Sequence, residues 1–153
     1  MRKIQEQKFV SLLLFMYEEG ADRLRYSSCG HEHILVARTA KKSLDGKVDL
    51  PDVEVLKAGG IIMGMVEEIT PFLEEKEICL NGGDKILLYT DGATEARKPA
   101  GQMYGMRRLV ESFRKGASFP IKETVYNIFE DVKRFISEGH QYDDITMVGI
   151  ERE

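Results

Sequence analysis

Tryptophan is absent from this chain of 153 residues, and cysteine occurs only twice. Two cysteines cannot form the dense disulfide framework of a small secreted domain, and Cys29 and Cys79 are too widely spaced for a zinc knuckle. We therefore expect both to be reduced thiols in the core. The chain also lacks an uninterrupted apolar stretch of about 20 residues, which a membrane helix requires. No membrane association is expected.

An excess of basic residues is missing as well. The chain carries 22 Lys and Arg against 26 Asp and Glu, a formal net charge of −4. Nucleic acids and anionic lipids are bound through clusters of basic residues, so nucleic acid is not an expected partner. Glu18 and Glu19 stand where a secretory signal would have small residues. These features predict a cytoplasmic protein with a single domain over residues 1–153.

The N-terminal part of the chain has the pattern of strands and turns. Apolar runs at 9–17, 24–29 and 34–39 predict an antiparallel meander, and residues 40–52 read as a surface connection to a strand at 53–57. Strands at 77–80 and 85–89 flank Asn-Gly-Gly-Asp, residues suited to a tight reversal. We expect those two strands to form a hairpin.

The C-terminal part has helical periodicity. Met106, Leu109, Val110 and Phe113 recur at spacings of three and four residues, and Gly116 is placed to end that helix. A second apolar stripe runs from Ile121 to Ile136, with Ser118 as the expected cap, Pro120 in the first turn and Gly139 after the last. A final strand is predicted at 145–151. Strands, then helices, then a strand predict an α+β fold with helices packed on sheet.

Acidic residues stand at two junctions between strand and turn. In KILLYTDG (85–92) an apolar strand leads to Asp91 and Gly92, and in QYDDITM (141–147) Asp143 and Asp144 precede the last strand. Adjacent aspartates are accommodated more easily near a cation, and carboxylates without histidine or cysteine favour Mg²⁺ or Mn²⁺ over zinc. Asp-Gly pairs and paired aspartates are also common in solvated turns, so both readings stay open on these residues alone.

Five segments in order resemble the SpoIIE/RsbU-type phosphatases of the PPM superfamily. They are FVSLLLFMYEEGADRLRYSSCGHEHILVAR (9–38), GGIIMGM (59–65), YTDGATEAR (89–97), GQMYGMRRL (101–109) and DDITM (143–147). The resemblance implies a PPM-like layered β-sandwich with flanking helices. It also implies a Mn²⁺- or Mg²⁺-dependent phosphatase acting on phosphoserine or phosphothreonine in a partner protein, such as an anti-anti-sigma factor.

The resemblance assigns roles to four residues. Asp91 and Asp143 are the implied catalytic metal ligands of a two-metal site. Asp144 orients the site or the last strand beside the metal, and Gly92 gives clearance near the ion. His140, close to Asp143 in sequence, is a further residue that contacts substrate phosphate, assists proton transfer or belongs simply to a loop.

Two segments of the family pattern do not occur in these residues. They are a Gly-Asp-Tyr/Phe-Tyr-Asp type segment, whose aspartate bridges both metals, and a Gly-Asp-Val-Ser-Gly type segment. We therefore expect the N-terminal part of the fold to be missing, so that the chain corresponds to about the C-terminal two-thirds of a catalytic domain. The chain is then a fragment of a longer enzyme, a non-catalytic pseudo-phosphatase that binds a partner, or a chain completed by a partner. Missing strands also favour a homodimer.

Overall fold

The computed structural model describes residues 8–18, 20–39, 50–137, 139 and 141–153. Within these ranges it has the following seven strands: β1 (Leu12–Tyr17), β2 (Arg23–Cys29), β3 (Ile34–Ala37), β4 (Val53–Leu56), β5 (Lys76–Cys79), β6 (Lys85–Tyr89) and β7 (Met147–Glu151). The helices are α1 (Asp91–Thr94), α2 (Gly105–Gly116) and α3 (Ile121–Ile136), with a 3₁₀ turn at Thr70–Phe72. Most of the predicted connection at 40–52, and His140, lie outside the described residues.

The chain divides into two compact units. The first combines the described residues up to His31 with Lys57–Leu80, and the second combines Glu32–Leu56 with Asn81–Glu153. Each unit is built on one antiparallel sheet. The expected α+β class is confirmed, whereas a single domain over 1–153 stays a prediction.

The sheet of the first unit has the strand order β1-β2-β5. β1 and β2 pair antiparallel as predicted, with Phe15 opposite Tyr26. Because successive strand residues point to opposite faces, Leu12, Leu14 and Met16 share one face of β1. Their exposed fractions are 42%, 59% and 50%. This edge strand therefore presents an apolar stripe to solvent.

The sheet of the second unit has the order β4-β3-β6-β7 and carries α2 and α3. β3 is buried along its whole length, which explains why its sequence is a continuous apolar run. The core combines sheet residues with the inner faces of both helices: Leu35, Leu87, Leu109, Phe113, Ile128 and Val132, all 0% exposed. α3 lies close to β7 at Gly149, where a Cβ would come 2.6 Å from Val125 Cγ2.

Two predicted strand pairings are wrong. The predicted hairpin does not form, because β5 pairs with β2 while β6 pairs with β3 and β7. The predicted meander stops after β2, since β3 belongs to the other sheet. The turn between β5 and β6 does exist, because the Asp84 amide donates to Asn81 O at 3.0 Å. A turn sequence predicts a turn but does not predict which strands pair.

Helix ends and one cysteine also differ from expectation. Pro120, and not Ser118, precedes α3, and the Ile121 amide is capped by Glu151 Oε2 at 3.0 Å. Ser137, and not Gly139, takes the positive φ after α3, at 54°. α2 does end at Gly116 as predicted. Cys29 is buried, but Cys79 is exposed, so the prediction of a core thiol is wrong for Cys79.

Candidate metal and phosphate site

β6 delivers Asp91 to the end of the second unit's sheet. The buried strand ends at Tyr89, Thr90 is extended, and Asp91 is the first residue of the short helix α1. Asp91 Oδ1 accepts a hydrogen bond from the Gly92 amide at 2.9 Å. The Asp91 side chain is exposed to solvent. No described residue donates to its second carboxylate oxygen, which is therefore open to a ligand.

Asp143 and Asp144 lie in the irregular segment before β7, and both are exposed. Asp143 Oδ1 accepts a hydrogen bond from the Asp144 amide at 2.7 Å. The Asp143 carbonyl accepts another from Gln141 Nε2 at 2.9 Å. These local bonds fix the main chain of the segment and leave the carboxylates facing water.

The two acidic segments meet because β6 and β7 are antiparallel neighbours. The end of one strand lies beside the start of the other in such a pair. The Thr90 amide donates to Thr146 O at 3.1 Å, beyond the last ladder pair. Gly92 packs directly on the Asp144 carbonyl, and a Cβ there would lie 2.9 Å from Asp144 C and 3.3 Å from Asp143 O. The structure thus brings Asp91, Gly92, Asp143 and Asp144 to one sheet edge.

Thr90 is the residue that the sequence analysis missed. Its hydroxyl donates to the Asp144 carbonyl at 2.9 Å and accepts from the Thr146 amide at 3.0 Å. One side chain therefore links the end of β6 to the segment that carries Asp143. The sequence feature that could have pointed to Thr90 is its place directly before Asp91, where an apolar β-branched residue would continue the strand pattern equally well.

A small cavity of about 160 Å³ adjoins this sheet edge. Gly92, Asp143 and the side chains of Glu95 and Arg97 are among the residues that line it. Arg97 is half-buried and lies on the antiparallel bridge with Met103. Arginine is the residue type suited to bidentate contact with a phosphate.

The donor chemistry at this edge fits a hard divalent cation, since Asp91 and Asp143 offer only carboxylate oxygens. Divalent ions gain affinity from the number and charge of their ligands. Among the described residues there is no group of three or more His, Cys, Asp or Glu side chains that could hold a metal ion. The two carboxylates of Asp91 and Asp143 are therefore suitable ligands for only part of the coordination sphere of such an ion.

We predict that Thr90→Val weakens the link between the two acidic segments. The substitution keeps the shape of the side chain but removes both hydroxyl bonds, so we expect a loss of about 1–2 kcal/mol in the free energy of unfolding. Urea denaturation measures this loss. Thr94→Val is the matched control, because the Thr94 hydroxyl donates only to Asp91 O within α1, at 3.1 Å. Equal stability of both variants would contradict the role of Thr90.

One protein family matches the whole of this chain. The model of the family described as Stage II sporulation protein E (SpoIIE) matches residues 1–153. The chain belongs to the SpoIIE family. The family resemblance inferred from the five segments is confirmed.

This SpoIIE-family chain is similar in sequence to one curated protein and in fold to solved structures. Protein IcfG from Synechocystis sp. (strain ATCC 27184 / PCC 6803 / Kazusa) is 27% identical over 145 residues, 94% of this chain and 21% of IcfG. The RsbU and RsbW domains of Rv1364c from Mycobacterium tuberculosis have a TM-score of 0.73 and 20% identity, covering 97% of this chain and 38% of that one. The phosphatase domain of SpoIIE from Bacillus subtilis, presoaked with Mn, has a TM-score of 0.60 and 18% identity, covering 94% and 56%.

The SpoIIE-family chain thus spans about a fifth of the length of the curated relative and under two thirds of both solved structures. Its likeness to the SpoIIE phosphatase domain from Bacillus subtilis is a likeness of fold. In the described part of the chain, no helix has the length and apolar character needed to cross a membrane.

Proposed function

We propose that this chain forms part of a divalent-metal-dependent phosphatase site that acts on phosphoserine or phosphothreonine in a partner protein. The observation that carries the proposal is the close approach of Gly92 to the Asp144 main chain, beside Asp91 and Asp143. Two distant stretches of sequence thereby contribute acidic groups to one sheet edge. The Bacillus subtilis SpoIIE phosphatase domain, whose structure was presoaked with Mn, supports Mn²⁺ or Mg²⁺ as the cation.

In this proposed site, the residues at the sheet edge have separate roles. Asp91 and Asp143 hold the cation, Thr90 and Asp144 fix the strand ends, and Arg97 binds oxygens of the phosphate. When bound, the cation supplies a water activated for attack and neutralises charge on the phosphoryl group. In the overall reaction a water oxygen bonds to phosphorus and the bond from phosphorus to the serine or threonine oxygen breaks. A proton from that water ends on the leaving oxygen, so the products are the free hydroxyl and inorganic phosphate. The remaining metal ligands come from outside the described residues.

The partner that we propose is a phosphoprotein such as an anti-anti-sigma factor. Support comes from the family to which the chain belongs and from a structural relative that carries an RsbU domain together with an RsbW domain. Self-association into a homodimer through the apolar stripe of β1 is a related proposal, because an edge strand with exposed apolar residues is suited to pairing with a second copy. The cytoplasmic location stays a prediction.

Mn²⁺ titration followed by calorimetry tests the metal assignment. We expect Asp91→Asn and Asp143→Asn each to weaken Mn²⁺ binding by about tenfold or more, because each removes a charged oxygen ligand. Asp52→Asn is the matched control, since Asp52 is an exposed aspartate outside this edge. Unchanged Mn²⁺ affinity in both site variants would contradict the proposal.

A second candidate function is a non-catalytic module that binds a signalling partner. It is favoured by the absence of a three-ligand acidic cluster among the described residues. Hydrolysis of a phosphoserine peptide in the presence of Mn²⁺ separates the two. Loss of hydrolysis in Asp91→Asn with retained partner binding supports the phosphatase, whereas a wild-type chain that binds its partner without any hydrolysis supports the module.

A further inference from the structure

A groove of about 720 Å³ lies along α2 and α3, and it shares no lining residue with the cavity at the candidate site. Both helices contribute charged side chains to it, and Met103 and Phe119 contribute apolar ones. Met103 and Phe119 are 46% and 45% exposed, so these apolar groups are open to solvent. The groove is therefore a separate surface with its own mixed chemistry.

The charge of the groove is opposite to that of the chain as a whole. Its lining includes four basic side chains (Arg107, Arg108, Lys115 and Arg134) and two acidic ones (Glu111 and Asp131). The formal net charge of the chain is −4. A local cationic excess on an acidic protein attracts acidic ligands.

Both acidic groups of the groove already have partners. Glu111 is paired with Lys115 at 3.3 Å, and Asp131 is paired with Arg134 at 3.6 Å. Asp131 Oδ2 also accepts a hydrogen bond from the Tyr104 hydroxyl at 2.6 Å. Among the described residues, Arg107 and Arg108 are the lining cations that have no ion-pair partner.

Arg108 is held in place before any ligand arrives. Its guanidinium carbon lies 4.5 Å from the centre of the Phe135 ring, and Lys98 Nζ lies 4.9 Å from the same centre. Stacking on an aromatic ring orients the planar donor fork of arginine. Arg108 Nη1 is nevertheless buried with no hydrogen-bond partner in the described part of the chain. A charged donor without an acceptor is costly, so the Arg108 guanidinium is left with an unsatisfied hydrogen-bond donor beside the groove.

We propose that the α2–α3 groove binds a carboxylate-rich segment of a protein partner. Arg108 and Arg107 bind carboxylates, while Met103 and Phe119 contact apolar side chains of the same segment. An extended peptide suits the groove better than a single small anion, because the volume is large and apolar contacts accompany the cations. This binding goes beyond the proposed function, since it concerns a different surface and needs neither metal nor hydrolysis.

Fluorescence anisotropy with a fluorescein-labelled peptide of alternating glutamate and leucine tests this proposal. We expect Arg107→Glu to weaken peptide binding by about tenfold or more, because it replaces an attractive charge by a repulsive one. Arg107 is exposed, so this variant keeps the stacking of Arg108 on Phe135 and is expected to fold. Binding is also expected to weaken between roughly 50 and 500 mM NaCl, since exposed charges are screened by salt.

Lys122→Glu is the matched control, because it makes the same change of charge at an exposed position of α3 that does not line the groove. We expect it to bind the peptide like the wild type. Equal weakening in Lys122→Glu and Arg107→Glu would overturn the proposal, because net charge alone would then explain binding. Full displacement of the peptide by millimolar inorganic phosphate would overturn it as well, since the groove would then be a small-anion site. Circular dichroism verifies that each variant is folded.

Discussion

Replacing Asp84 by alanine is expected to lower the free energy of unfolding by about 3–5 kcal/mol. The Asp84 side chain is 1% exposed, and it is tied to three neighbours. It accepts hydrogen bonds from the Thr39 amide at 2.7 Å, from the Asn81 amide at 3.0 Å and from Arg38 Nη1 at 3.0 Å. The substitution removes the common acceptor of these part-buried hydrogen bonds, one of which comes from a charged guanidinium.

Asp84 also makes stability depend on pH. Burial opposes its ionisation, but hydrogen bonds from the Asn81 and Thr39 amides and from Arg38 outweigh burial and lower the pKa of Asp84. The stabilisation is therefore fully present above the unfolded pKa of about 3.9 and is lost as the pH falls through the lower folded pKa. Because Asp84→Ala lacks this carboxylate, we expect its free energy of unfolding to fall less than that of the wild type as the pH is lowered into the acid range.

Urea denaturation followed by circular dichroism, at neutral pH and down into the acid range, measures both effects. Asp52→Ala is the control, because Asp52 is exposed and its substitution removes no buried carboxylate. Its expected change is within about 0.5 kcal/mol. If Asp84→Ala were as stable as Asp52→Ala, the buried network would not have the importance that we assign to it.

Gly92→Ala is expected to cost about 2–3 kcal/mol in the free energy of unfolding, because a Cβ must be inserted where main chain already lies. The new atom would meet the Asp144 carbonyl oxygen and would lie 2.9 Å from Asp144 C. Main-chain atoms cannot rotate away like the end of a flexible side chain. The two acidic segments must therefore separate, so we also expect weaker Mn²⁺ binding than in the wild type.

Gly82→Ala is the matched control for this prediction. A Cβ at Gly82 meets nothing within 4 Å, and its φ is not positive. We expect its stability to be unchanged or raised by about 0.4–1 kcal/mol through a less flexible unfolded chain. Urea denaturation and Mn²⁺ titration of both variants give the comparison, and a Gly92→Ala protein that matched Gly82→Ala in both would contradict the tight packing at the sheet edge.

Local elements were predictable where the sequence is strongly periodic. The helix Ile121–Ile136 was predictable because its apolar stripe recurs at helical spacing, although its ends differ from the expected caps. The buried strand 85–89 was predictable from its apolar run. The cap of α3 was not predictable, since Glu151 approaches it from the last strand, 30 residues away. Long-range partners of this kind leave no local pattern.

The candidate site was likewise predictable where the signal is local and not predictable where it depends on residues distant in sequence. Asp91 and Asp143 were recognisable because each stands where a strand meets a turn, and the structure places their segments together. Their role as metal ligands stays a prediction. The hydroxyl of Thr90 was missed because its value depends on which strand lies beside β6. The predicted hairpin was wrong for the same reason, because it paired β5 with β6.

The interleaving of the two units has a consequence for anyone who dissects this protein. Each unit is assembled from two separate segments, with Lys57–Leu80 of the first placed between the segments of the second. A single protease cut between β4 and β5 would therefore divide both units at once and release neither intact. Independent expression of the second unit requires splicing 32–56 to 81–153 through a new linker, and trimming from one terminus cannot achieve it.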